Sequence, residues 1–276
     1  MIYTFSIGGF RIRCDVPQSL SFVNCTLPFL VESDDYDILF QFVGRQSIFM
    51  DGAGTWVEDA CYTSDAVYFC PMRGMDPYAK VYPVTDDRRF YICEYTYGRE
   101  NMFSSSVQLI HLLSLEKLFL GINGFILHSS FIRYRDRGIL FSAPSGTGKS
   151  TQATLWEKYE GAEVLNGDRG LLIRRDEGWT VSGMPFAGSS GIYRNETVPL
   201  GAIVVIRQAP DNRIRPITPG EAIRYLYPEI SMHRWNTDFV NSILSLVLDL
   251  LNKVPVYLLD CRPDQGAVQA LKNVLD

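Results

Sequence analysis

Ala143-Pro-Ser-Gly-Thr-Gly-Lys-Ser-Thr151 decides how this chain is read, because small and glycine positions followed by Lys149-Ser150 make a loop that cradles phosphate. The common pattern G-x-x-x-x-G-K-[ST] is kept at Gly148, Lys149 and Ser150 and departs once, at Ala143. Gly146 and Gly148 let backbone N–H groups converge on phosphate oxygens, Lys149 reaches the β/γ-phosphates, and Ser150 Oγ ligates Mg²⁺ at the start of the next helix. Nucleotide contacts are therefore expected from Ser145, Gly146, Thr147, Gly148, Lys149, Ser150 and Thr151. The flanks suit the loop. Gly138-Ile-Leu-Phe-Ser142 predicts a buried strand entering it, and Ser150 to Tyr159 a helix leaving it.

With 276 residues the chain is long for one domain and short for two large ones, so a core domain plus a smaller one is expected. Hydrophobic content of 46% and charged content of 21% exclude disordered and fibrous classes. A net charge of -5 argues against a nucleic-acid partner. The six cysteines are scattered without a C-x-x-C pair, which suits a reducing compartment, and neither a signal peptide nor an apolar run of membrane-spanning length is legible. The expectation is a cytoplasmic protein with no membrane partner.

Residues 1–100 are aromatic and β-branched, broken every few residues by Gly, Pro, Asp or Asn, which predicts short strands and turns. The acidic run Glu32 to Asp37 lacks calcium-loop spacing and reads as a solvated turn. This β-rich module would serve recognition of a substrate or oligomerisation, so a homo-oligomer is one expectation. Near Asn101 the composition changes to a run predicting one mostly buried helix over residues 104–120, ended by Gly121-Ile-Asn-Gly124 through glycine's left-handed freedom. A domain boundary near residue 100 follows, with the core over 101–276. Phe125–Tyr134 and Gly138–Phe141 then predict a hairpin across Arg135-Asp-Arg137.

Two acids end apolar strands beyond the phosphate loop, Asp168 and Asp260, and a magnesium–nucleotide site needs one of them because Ser150 alone cannot hold the ion. Spacing leaves the choice between a turn residue and a ligand open at Asp168. Gly183 to Asn195 is rich in small residues and carries Arg194, a cation that a closing loop would lay over a transferring phosphoryl group. Thr218-Pro-Gly-Glu221 predicts a capped helix start, Thr237–Leu251 an apolar helix, Val254–Leu259 a strand, and Asp264 the cap of a last helix.

The order Leu127-His128-Ser-Ser, hairpin, phosphate loop, Leu165-Asn-Gly-Asp-Arg169 and Gly183-Met-Pro-Phe-Ala-Gly188 resembles the HPr kinase/phosphorylase and phosphoenolpyruvate carboxykinase superfamily. The closer likeness is to HPr-kinase-like proteins associated with peptide-modifying gene clusters, and it covers about residues 105–275. The resemblance implies an α/β (α+β) fold: a P-loop core on a strongly twisted mixed β-sheet, beside the smaller β-rich N-terminal domain. It also implies that His128 faces the phosphates and that Asp168 is both metal ligand and base. HPr kinases carry two adjacent acids where this chain has Gly167-Asp168, and Gly where it has Ala143, so the resemblance does not extend to HPr as substrate. Nor does it extend to the carboxykinase reaction, whose enzymes are much larger.

The combined expectation is an ATP- and Mg²⁺-dependent kinase for a hydroxyl, serine in the first place, of a peptide or protein, with Asp168, Lys149, His128 and Arg194 as catalytic residues and Ser150 and Asp168 on the metal. A small-molecule kinase with the same core and a nucleotide-binding regulator without transfer are the alternatives.

Overall fold

The computed structural model describes residues 1–20, 24–84, 87–103, 111–186 and 188–276, and all elements counted here lie among them. They fall into two compact units, Met1–Ser114 and Leu115–Asp276. The single helix expected over 104–120 lies outside the described residues at 104–110. Within them it is interrupted, because Ser114 takes φ 47°, a left-handed value that stops helical residues 111–113 before α1 (Leu115–Leu120) begins. The turn after α1 places its left-handed residue at Asn123 (φ 59°), not at a glycine as expected. Gly124 is instead small for packing, since a Cβ there would stand 3.1 Å from Leu172 O.

In the first unit, β1 (Ile2–Ile7), β2 (Phe10–Asp15), β3 (Ile38–Arg45), β4 (Thr55–Val57), β5 (Ala60–Tyr62), β6 (Val67–Phe69), β7 (Ala79–Val84) and β8 (Asp87–Thr96) form one mixed sheet. Its order is β1-β2-β3-β8-β7-β6-β5-β4, with β2–β3 and β3–β8 parallel. Ile38, Phe40 and Phe42 alternate inward along β3, as a sheet buried on one face requires. The acidic turn is neutralised locally, Asp35 by Arg11 at 3.3 Å and Asp34 by Arg13 at 3.5 Å.

The second unit runs β9 (Gly124–Tyr134), β10 (Arg137–Ser142), α2 (Lys149–Glu160), β11 (Glu163–Asn166), β12 (Arg169–Arg175), β13 (Gly178–Gly183), β14 (Thr197–Gln208), β15 (Arg213–Pro216), α3 (Pro219–Leu226), β16 (Ile230–Ser231), α4 (Thr237–Lys253), β17 (Val256–Cys261) and α5 (Gln265–Leu275). Arg135 and Asp136 both have positive φ, so β9 and β10 join through a two-residue turn of the primed kind that matches strand twist. β9 is long enough to change partners. Its first half pairs with β12 and its second half with β10, while β11 lies beyond β12 along the same edge. β14 likewise pairs with β13 early and with β10 and β17 later. The pairings thus close a circuit, β10–β9–β12–β13–β14–β10, a mixed sheet curled on itself.

Curling brings strands that are not neighbours into contact, and glycines mark the tightest points. A Cβ on Gly138 of β10 would stand 2.4 Å from Val181 Cγ1 of β13. One on Gly170 of β12 would stand 3.0 Å from Leu140 Cδ2 of β10. β10 is apolar at successive positions because both its faces are covered. Ile139 and Phe141 join Ala153 and Trp156 of α2 and Val268 and Leu271 of α5, whereas Leu140 joins Leu226 of α3 and Ile243, Val247 and Leu250 of α4. Thr218 caps α3 by accepting from Glu221 N, but the Glu221 carboxylate takes Arg215 in place of closing the capping box. Among the described residues no helix is long and apolar enough to cross a membrane.

Gly138→Ala forces a methyl into Val181, Phe131 and Val198, all of them buried. It is expected to lower unfolding free energy by roughly 1–3 kcal/mol in urea titration, the usual scale of overpacking; an unchanged midpoint would mean that the sheet is less tightly curled than described.

Candidate active site

β10 ends at Ser142, whose partner across the ladder is Ser129, so His128 lies one residue past the point where the chain enters the phosphate loop. Ser142 Oγ donates to His128 O at 3.1 Å and pins the two strand ends together. In the loop, Gly146 (φ 78°) and Gly148 (φ 118°) take conformations that favour glycine. Gly148 is also the N-cap of α2 and has no side chain to bond the first-turn amides, which leaves those N–H groups and the positive end of the helix for an anion. Ser145, Gly146, Ser150 and Thr151 are exposed, and Thr147 and Gly148 half-buried.

Lys149 is buried, and its Nζ donates to Ala143 O at 2.8 Å and Pro144 O at 3.3 Å. Burial holds its ammonium below the ordinary lysine range, while the carboxylates of Glu229 and Asp168 pull it partly back. Lys149 is therefore within the field of both acids. Those acids flank one ring: His128 Nδ1 bonds Glu229 Oε2 at 2.8 Å, and His128 Nε2 faces Asp168 Oδ1 at 3.6 Å. Beyond Asp168, its Oδ2 lies 3.3 Å from Arg169 Nε. The result is a chain of side chains in sequence of contact, Glu229–His128–Asp168–Arg169, beside the loop lysine.

Asp168 is aimed by an interruption between β11 and β12. Both strands pair with the same edge of β9, and the pairing resumes at Arg169 opposite His128. The gap is bridged by Asn166, fully buried, whose Oδ1 accepts from Asp168 N and Arg169 N at 2.9 Å each. Its Nδ2 donates to Met184 O at 2.8 Å and Phe186 O at 2.9 Å, anchoring the start of the 183–195 segment. Gly188 then passes so close to the acid that a Cβ there would stand 2.9 Å from Asp168 Cβ.

The loop is thus near the site, but its cation is not. The Arg194 guanidinium is bonded to Glu163, which is shared with Arg133, and Glu163 pairs with the far end of β9, five residues from His128 along the strand. The role expected for Arg194 over the phosphates is not supported by this placement; Glu163, the first residue of β11, holds it instead. Asp260, the rival of Asp168 as a strand-end acid, is taken by another partner. It receives a two-point bond from Arg207, with Nη2 to Oδ2 at 2.7 Å, and that bond holds its carboxyl below the usual range. Asp260 is consumed by a structural pair on the β14–β17 side, away from His128. Sequence reasoning missed Glu229, which follows α3 in a short Tyr-Pro-Glu turn without a motif, and Asn166, whose Asn-Gly-Asp setting resembles any turn.

Among the described residues no group of three or more His, Cys, Asp or Glu side chains is placed to hold a metal alone. Mg²⁺ needs fewer, since it keeps several waters and takes further ligands from phosphate. The exposed Ser150 hydroxyl and the Asp168 carboxylate are hard oxygen donors of that kind, so the residues fit the ion. An open cleft of about 590 Å³ is lined by Ala143–Thr147, Val205–Gln208 and Tyr225.

Neither a protein-family profile nor a curated protein matches this chain. Among solved structures, the HPr(Ser) kinase/phosphatase from Coxiella burnetii is a weak neighbour, with a TM-score of 0.31 and 12% identity over 54% of this chain and 92% of its own.

Two variants check the geometry. Lys149→Ala is expected to weaken Mg·ATP binding by about ten- to a hundred-fold in calorimetry, hydrogen bonds to charged groups contributing roughly 1.5–3 kcal/mol; unchanged affinity would remove the cradle. Arg194→Ala is expected to change stability by about 1 kcal/mol or less, as an exposed ion pair does, with turnover close to that of the parent. A turnover loss as large as that of an Asp168 variant would show that the loop swings its arginine into the site.

Proposed function

We propose that the protein is an ATP- and Mg²⁺-dependent kinase that transfers the γ-phosphoryl group to a hydroxyl, serine in the first place, of a peptide or protein. The observation that carries this reading is His128 held between Glu229 and Asp168 at the mouth of the phosphate loop. A phosphate cradle alone serves binding; a cradle with a positioned acid and imidazole at one end serves transfer.

Phosphates lie on the loop amides from Ser145 to Thr151, with Lys149 exchanging its contacts to Ala143 O and Pro144 O for phosphate oxygens. Ser150 and Asp168 would hold Mg²⁺ together with the phosphates, and the ion would supply charge neutralisation. Asp168 accepts the proton of the acceptor hydroxyl as that oxygen bonds to the γ-phosphorus and the bond to the ADP oxygen breaks. The 2.8 Å contact of His128 Nδ1 with Glu229 holds the ring with Nε2 toward Asp168 and the transferred group. The peptide class of the acceptor follows the sequence resemblance, and we assign its recognition to the β-rich first unit.

Phosphate transfer from labelled ATP to peptide, protein and metabolite hydroxyls tests the proposal. Asp168→Asn is expected to lower transfer by about 10²-fold or more, the scale of general-base and metal contributions, while Asp260→Asn stays near the parent. The reverse ranking would overturn the site. ATP binding without transfer to any hydroxyl would make the protein a regulator, and transfer to metabolites alone a small-molecule kinase.

A further inference from the structure

Residues 227–234 cross the site as a strap. The chain leaves α3 through the single turn Tyr227–Glu229, pairs briefly with β9 as β16, Ile230 opposite Leu127 and Ser231 opposite Ile126, and continues to Arg234. The strap touches the proposed machinery twice. Glu229 reaches His128, and Ser231 Oγ accepts from Arg169 Nη1 at 2.6 Å, so both outer members of the Glu229–His128–Asp168–Arg169 chain are tied to one short segment.

That segment has little regular structure to hold it: one helical turn and a two-residue strand. Its turn ends in carbonyls that no following helix can satisfy, because the backbone becomes extended at Ile230. Arg234 satisfies them. Its Nη2 donates to Tyr227 O at 3.2 Å, Pro228 O at 3.0 Å and Ile230 O at 3.3 Å, three carbonyls that surround Glu229 in sequence. The guanidinium carbon also lies 4.9 Å from the centre of the Tyr227 ring, which closes the strap on itself. Arg234 is exposed, and its hydrogen bonds go to the turn and, through the turn, serve the aim of one carboxylate.

We propose that Arg234 is a positioning residue: by clamping the Tyr227–Ile230 carbonyls it sets Glu229 against His128 Nδ1 and so fixes which ring nitrogen faces Asp168. This rests on the kinase reading for its effect on rate, but not for its effect on the ring. The three carbonyls share the two hydrogens of one nitrogen, so a lysine ammonium with three protons can replace these bonds in part, whereas methionine keeps the stem and loses every donor.

The test compares Arg234→Met and Arg234→Lys with the parent, reading the ¹⁵N shifts of the His128 ring, assigned with a His128→Gln control, and kcat separately from KM for ATP. The Arg234→Met variant is expected to move the His128 ring ¹⁵N shifts away from the parent's and to lower kcat by about ten-fold or more, the cost of small misplacement in a catalytic group, with KM for ATP unchanged; Arg234→Lys is expected to recover much of both. His128 shifts in Arg234→Met identical to the parent's would overturn the inference, as would equal loss in Arg234→Met and Arg234→Lys. If the parent transfers no phosphate, the kinase reading fails, and the ring shifts still decide the role of Arg234.

Discussion

One side-chain amide, Asn166, holds the gap in an otherwise continuous β edge, and the site depends on that gap. β11 and β12 follow each other along β9, and without the interruption Asp168 would be one more ladder residue. The Asn166 carbonyl accepts the two amides that would otherwise lose their partners, and its amide group holds the next loop by two backbone carbonyls. A buried group making four such bonds is fully used, which is why it can sit in an apolar sheet without destabilising it. Ser129 N bonding Asp168 O at 2.9 Å fastens the same point from the β9 side.

The curled sheet supplies the second condition. Because β9 pairs with β10 on one edge and with β11 and β12 on the other, the end of β10 and the gap before β12 fall on either side of His128. The phosphate loop and the acid are therefore brought together by strand pairing and not by a flexible connection. Glu229 arrives from a third direction, through the strap that pairs with the free edge of β9. Burial then makes these charges count. Lys149 is desolvated, and the carboxylates that partly restore its affinity for a proton are the two that hold His128.

Much of this was legible because local chemistry decides it. Gly146 and Gly148 adopt the left-handed backbone the loop needs, the apolar run of β10 follows from its two covered faces, and Asp264 caps the last helix by accepting from Ala267 N as its position indicated. What escaped was set by distant contacts. Arg194 reads as a free cation in a loop until Glu163, thirty-one positions earlier, is found bonded to it. Asp260 reads as a rival metal ligand until Arg207 of the neighbouring strand occupies it. Glu229 lies one hundred and one positions from His128, a pairing that no periodicity announces. Among the described residues, the helix expected over 104–120 is interrupted for a local reason that composition hides, a left-handed residue at Ser114.

In the proposed site a nucleotide on the loop points its terminal phosphate at the Glu229–His128–Asp168 chain. A crystal structure with Mg²⁺ and a non-hydrolysable ATP analogue tests it most directly. Lys149 Nζ is expected to leave Ala143 O and Pro144 O for phosphate oxygens, Ser150 and Asp168 to share the metal, and the γ-phosphate to lie within hydrogen-bond reach of His128. A γ-phosphate turned toward Arg207 and Asp260, or a nucleotide bound away from the loop, would contradict it.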